Sequence, residues 1–143
     1  MRQLWLAIGW MIVAAIVYLS LATLTIETGI ESGDKLGHLL AYGVLMAWWS
    51  QLYVSASIRW KLGIAFIALG AAMELAQGLT PNRYPELLDL VANTSGVLLG
   101  WLIAPPRIPS LYARLAAAFS GTLNNRIQPI WLDVILQRDT RDV

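Results

Sequence analysis

The sequence predicts an all-α polytopic membrane protein, an antiparallel bundle of four transmembrane helices followed by an amphipathic C-terminal tail. Composition is the first ground: 57% of the 143 residues are hydrophobic and 13% charged, where soluble domains carry roughly 25% charged residues, and the mean hydropathy is +0.59. The second is the number of apolar runs, since the chain holds four stretches near the length of about 20 residues that crosses a hydrocarbon core as a helix. The third is an asymmetry of basic residues between the connections. One membrane domain over residues 1–106 and a cytoplasmic tail over 107–143 account for the whole chain. With no cysteine, disulfides and thiolate chemistry are excluded, and a net charge of +1 gives no footing for nucleic acid.

Residues 4–26 form the first expected span, apolar apart from scattered Ser, Thr and Tyr. A signal peptide is the alternative, because Arg2 precedes the run and Ser20-Leu21-Ala22 loosely resembles a cleavage site. The run is longer than the usual h-region of about 7 to 15 residues, which favours a retained span. A polar loop with Gly29 and Gly33 follows. Residues 36–54 are the second span, with Asp34 placed to oppose the positive end of its helix dipole. Residues 55–61 are expected to turn the chain, and residues 62–79 make a third span rich in Gly and Ala. Thr80 through Pro85 reads as a loop because two prolines and Asn82 interrupt helical bonding. The fourth span, 87–104, is stopped by Pro105-Pro106. In the tail, Leu111, Leu115 and Ala118 with Phe119 share one helical face, and Ile127, Trp131 and Val134 with Ile135 share another; each segment could lie in the interface or dock on a partner.

Threading follows from the flanking charges. Arg2, Arg59, Lys61, Arg107 and Arg114 fall on one side of a four-span path, and only Lys35 and Arg83 on the other. Basic flanks stay in the cytoplasm, so both termini are expected there. Trp5, Trp60 and Trp101 sit near the cytoplasmic ends of their spans, where aromatic rings favour the interface. The second and fourth spans then begin, and the third ends, on the outer face.

That threading brings three polar clusters to one membrane face: Asp34-Lys35-x-x-His38-x-x-x-Tyr42, Glu74-x-x-Gln77, and Arg83 through Asp89-x-x-x-Asn93. Ionisable groups at membrane depth are costly and mark function by default. On the fourth span Asp89, Asn93, Gly96 and Gly100 share a face, with Gly96 and Gly100 as close-packing residues.

Taken together, these motifs resemble the VanZ-like family over about residues 34–100, by order and spacing rather than by any single short piece. The resemblance implies a small bacterial inner-membrane protein of the cell envelope. It also implies a link to antibiotic resistance, since the family is named for a member that lowers susceptibility to the glycopeptide teicoplanin. No reaction is settled by it, so whether the chain is an enzyme stays open. Glu86 departs from the family pattern, which has Ser at that loop position, and the extra carboxylate changes the local charge.

Two functional readings follow. In the first, Asp34, Lys35, His38, Tyr42, Glu74, Gln77, Arg83, Asp89 and Asn93 form an outer-facing site for a lipid-linked or cell-wall-related ligand. Lys35 and Arg83 would hold a phosphate or carboxylate, while a buried carboxylate with His38 could move protons. In the second, the same charges are a structural ion-pair network in a membrane scaffold or accessory subunit that meets a membrane-protein partner or a second copy. No metal and no cofactor is expected, because no tight ligand motif is present; a set of one His and several carboxylates would suit Mg or Mn better than Zn. Ser20, Ser32, Thr94 and Ser95 lie in no recognisable nucleophile motif.

Overall fold

The computed structural model describes residues 1–22, 33–79, 85–105 and 107–127, with side chains described as far as residue 121. The described residues form five helices and no strand: α1 Arg2–Leu21, α2 Gly33–Ser50, α3 Ala56–Gln77, α4 Leu87–Ile103 and α5 Leu111–Ile127. They divide into two compact units, the first from Met1 to Ser110 and the second from Leu111 onward. Within the second, the helical register of α5 puts Leu111, Leu115 and Phe119 on one exposed face. The expected second amphipathic segment, beyond Ile127, lies outside the described residues, as do the loop glycine Gly29, Arg83 and the Thr80–Asn82 turn.

Two element boundaries differ from the sequence reading. Residues 56–61, expected to turn, are the first turns of α3, because nothing between Ser55 and Gly63 breaks a helix. Arg59 and Lys61 end the apolar run without ending the hydrogen-bonded one. The turn instead occupies residues 51–55, where Gln51 and Leu52 donate back to the carbonyls of Trp48 and Trp49. The helix expected to be the second span correspondingly runs from Gly33 to Ser50 rather than from 36 to 54. Helix α4 stops at Ile103, and Ala104 is extended with φ −94° and ψ 169°, as the residue before a proline is pushed to be.

Helices α1 and α3 are long and apolar enough to cross a membrane; α4 is apolar but shorter. Helix α2 has the length, but its opening turns carry Asp34, Lys35 and His38, which lower its apolarity. The chain is a membrane protein by these helices together with the family assignment made below. Large apolar side chains lie outward on α1 to α4, among them Tyr18 at 68% and Leu75 at 71% exposed, a surface that suits lipid rather than water.

The most extensive interface joins α2 to α4. Its pairs ascend together along both helices, from Lys35 with Glu86 through His38 with Asn93 to Gly43 with Gly96, so the two run side by side in the same direction. Glycine makes this closeness available. A Cβ on Gly96 would run into the Leu39 carbonyl oxygen, and one on Gly100 into that of Gly43. Ile16, Tyr42, Leu45, Met46, Trp49, Phe66 and Val97 form the core between the four helices. Far along α2, Trp48 stacks on Trp5 of α1 at 4.1 Å, and each indole N–H donates to the other residue's carbonyl. Gly9 leaves room for Trp49 beside that pair, at 3.0 Å from where its Cβ would be.

Candidate functional site

The polar residues of α2 lie at spacings of four, so Asp34, His38 and Tyr42 form one stripe running from the exposed first turn into the core. Asp34 is exposed, His38 nearly enclosed and Tyr42 fully buried. Opposite this stripe, the parallel register of α4 presents Asp89 and Asn93, both buried. His38 Nε2 is 3.8 Å from Asp34 Oδ1 and 3.8 Å from Asp89 Oδ2, and its Nδ1 is 3.1 Å from Asn93 Oδ1. An amide oxygen only accepts, so His38 Nδ1 carries a proton and donates it to Asn93.

Lys35 lies on the neighbouring edge of α2. Its Nζ donates to Glu86 Oε2 at 2.9 Å and is 3.7 Å from Asp89 Oδ1.

Glu74 arrives from the end of α3, where its Oε2 accepts the backbone N–H of Glu86 at 3.3 Å. The N-cap residue of α4 therefore ties α3 to α4 through its backbone and α4 to α2 through its side chain. Gln77 turns elsewhere and donates from Nε2 to the Ser20 carbonyl of α1 at 2.8 Å. Of the nine polar residues singled out in the sequence, Asp34, Lys35, His38, Asp89 and Asn93 thus meet directly, and Glu74 joins them through Glu86. Gln77 serves the α1–α3 junction, Tyr42 lies deeper, and Arg83 is outside the described residues. Glu86 belongs to the cluster, although the sequence marked it only as a departure from a family pattern. Its position just before α4 was the signal that could have placed it there.

The cluster is rich in acceptors. Asp34, Glu74, Glu86 and Asp89 face Lys35 and His38, and several buried atoms have no hydrogen-bond partner: Glu74 Oε1, Asp89 Oδ1, Asn93 Nδ2 and the Tyr42 hydroxyl. Buried polar atoms are nearly always paired, so such a concentration calls for an explanation. One imidazole nitrogen and one oxygen each from Asp34 and Asp89 also lie within 4.8 Å of one another, a spacing at which they could hold a metal ion.

The VanZ/LLP1 family model matches residues 4–110. The chain belongs to the VanZ-like family. The match spans α1 to α4 and ends where α5 begins, so the whole polar cluster of this VanZ-like protein lies inside the matched region. No curated protein and no solved structure matches the chain.

Proposed function

We propose that this VanZ-like protein crosses the bacterial cytoplasmic membrane four times as an antiparallel bundle, with both termini and the tail from residue 107 in the cytoplasm. The polar cluster then faces outward and binds or processes a lipid-linked or cell-envelope molecule, with glycopeptide susceptibility as the phenotype to examine. The observation that supports this reading is the set of buried polar atoms at the cluster, Glu74 Oε1, Asp89 Oδ1 and Asn93 Nδ2, that have no hydrogen-bond partner. A purely structural network would be expected to close on itself, because stranded buried polar groups cost stability.

The scaffold reading is supported by the pairings within the cluster, Lys35 with Glu86 and Asp89 and His38 beside Asp34 and Asp89, which engage the one described lysine of the cluster. Under that reading, the partners are a membrane protein or a second copy. The two readings separate on one comparison. Glu74→Gln and Asp89→Asn are expected to abolish a susceptibility phenotype, or binding of lipid headgroups that carry hydrogen-bond donors, while expression and melting in detergent stay near wild type. Loss of stability in step with loss of phenotype would sink the ligand reading.

The threading has its own test. Cysteines replacing Ser32 and Asn82 are expected to react with an impermeant thiol reagent from outside intact cells, and one replacing Ser57 is not. Labelling of Ser57→Cys alone would reverse the topology.

A further inference from the structure

We infer that Asp34, His38 and Asp89 form a site for a divalent first-row metal ion, with Mn2+ the best match to the donor set. His38 Nδ1 donates to Asn93 Oδ1 at 3.1 Å, and the other amide atom of Asn93, Nδ2, is held toward α3, 3.1 Å from where a Cβ on Gly70 would be. With Nδ1 turned to Asn93, Nε2 is the ring atom that faces the two carboxylates.

Two carboxylates facing one ring nitrogen call for a positive charge between them, which a proton on Nε2 or a metal ion in its place supplies. Neither carboxylate satisfies Nε2 by hydrogen bonding, since both separations of 3.8 Å exceed hydrogen-bond length. They do suit a shared cation. With metal–ligand distances of about 2.0–2.2 Å, two donors of one ion lie roughly 3.0–3.5 Å apart, so the three donors, now within 4.8 Å of one another, draw together to form the set.

The surroundings support the same reading. A metal-binding histidine commonly donates its second ring N–H to a carbonyl or carboxylate, which fixes the tautomer and orients the ring; Asn93 does this here. Asp89 is 5% exposed and turns its Oδ2 to the ring, while Asp34 on the exposed first turn leaves a way in. Lys35 is the competing cation, but it is engaged 2.9 Å away by Glu86 and stands on the Oδ1 side of Asp89, opposite the oxygen that faces His38. Two carboxylate oxygens with one nitrogen favour Mn2+ over thiolate- and imidazole-seeking ions. Three protein donors leave open positions that an oxygen of an anionic headgroup could fill. In that respect the inference rests on the proposed function of the same cluster. The spacing in sequence gave no such motif because Asp89 reaches the other two only through the α2–α4 register.

The test uses the full-length protein in detergent, stripped with a chelator and titrated with MnCl2 while free Mn2+ is followed by its electron paramagnetic resonance signal. One ion is expected to bind per chain. His38→Ala and Asp89→Asn are expected to abolish that binding, Asn93→Ala to weaken it about 10–100-fold by freeing the ring, and Glu74→Gln to leave it intact. Because a variant can fail to fold, the unaltered protein supplies a second readout: spin-echo modulation of bound Mn2+ should show coupling to an imidazole nitrogen, and His38 is the only histidine in the chain. No binding by the wild type, binding that survives both His38→Ala and Asp89→Asn, or bound Mn2+ without nitrogen coupling would each overturn the inference. Headgroup binding measured in parallel without metal keeps the two ideas apart, since its persistence in a protein that takes no Mn2+ would remove the metal and leave the ligand site.

Discussion

The two ends of the helical unit bury charge in opposite ways. At the tryptophan-rich end, Arg59 in the first turns of α3 is 2% exposed, and its guanidinium donates to the carbonyl of Trp101 near the end of α4. The same group lies 5.0 Å over the Trp101 ring, and Arg107 lies 5.1 Å from it. A cation there meets the negative end of a helix dipole and the face of an aromatic ring, and both interactions hold helices together. At the other end, Glu74 and Asp89 are 6% and 5% exposed, yet each keeps an oxygen with no hydrogen-bond partner. The Arg59 Nε and the Trp101 indole N–H are also unpaired, but they belong to groups whose charge or ring is otherwise engaged. Burial alone therefore does not separate structural from functional charge. What separates them is the sign of the charged group left with an unpaired atom, a guanidinium at one end and two carboxylates at the other.

The comparison breaks first if the two ends are not carried by one rigid seam. Gly96→Val and Gly100→Val put side chains into backbone carbonyls that cannot rotate away, so we expect loss of folded protein on size exclusion in detergent, beyond the usual overpacking cost of about 1–3 kcal/mol. Gly37→Ala meets no atom within 4 Å and should melt like wild type. Next in size, Arg59→Leu should lower stability by about 1.5–3 kcal/mol, the range for a hydrogen bond from a charged group. Headgroup binding by the protein that remains folded should be unchanged. A large binding defect with normal melting in Arg59→Leu would erase the distinction between the ends. Asp89→Asn should do the reverse, with melting shifted by less than Arg59→Leu and ligand binding lost. The smallest effect belongs to Glu86→Gln. Its carboxylate is half exposed and its pairing with Lys35 is a surface one, so melting should not change measurably, and any change in ligand binding should fade as salt is raised.

How far the sequence reached can be judged on particular residues. Asp34, His38 and Tyr42 on α2, and Asp89 with Asn93 on α4, were placed on common stripes because helical periodicity needs only local spacing. The start of α3 was misplaced because hydropathy reports where apolar residues stop, and a helix continues through Arg59 and Lys61 at no cost to its backbone bonds. Gln77 and Glu86 exchanged importance for a different reason: both lie at helix ends, and which neighbour an end residue meets depends on how the ends are stacked. Gln77 reaches Ser20 of α1, and Glu86 reaches Lys35 and Glu74.

By itself the sequence determined the apolar helical character, the membership in a family through spaced polar motifs, and the glycines that permit close helix approach. These are properties of composition and of period along one helix. The tertiary structure alone decided that α2 and α4 pack directly together with His38 against Asp89 and Asn93, because register between helices far apart in sequence is set by the backbone contacts at Gly43, Gly96 and Gly100. The convergence of a lone imidazole with two carboxylates is a product of that register, and no spacing within either helix contains it.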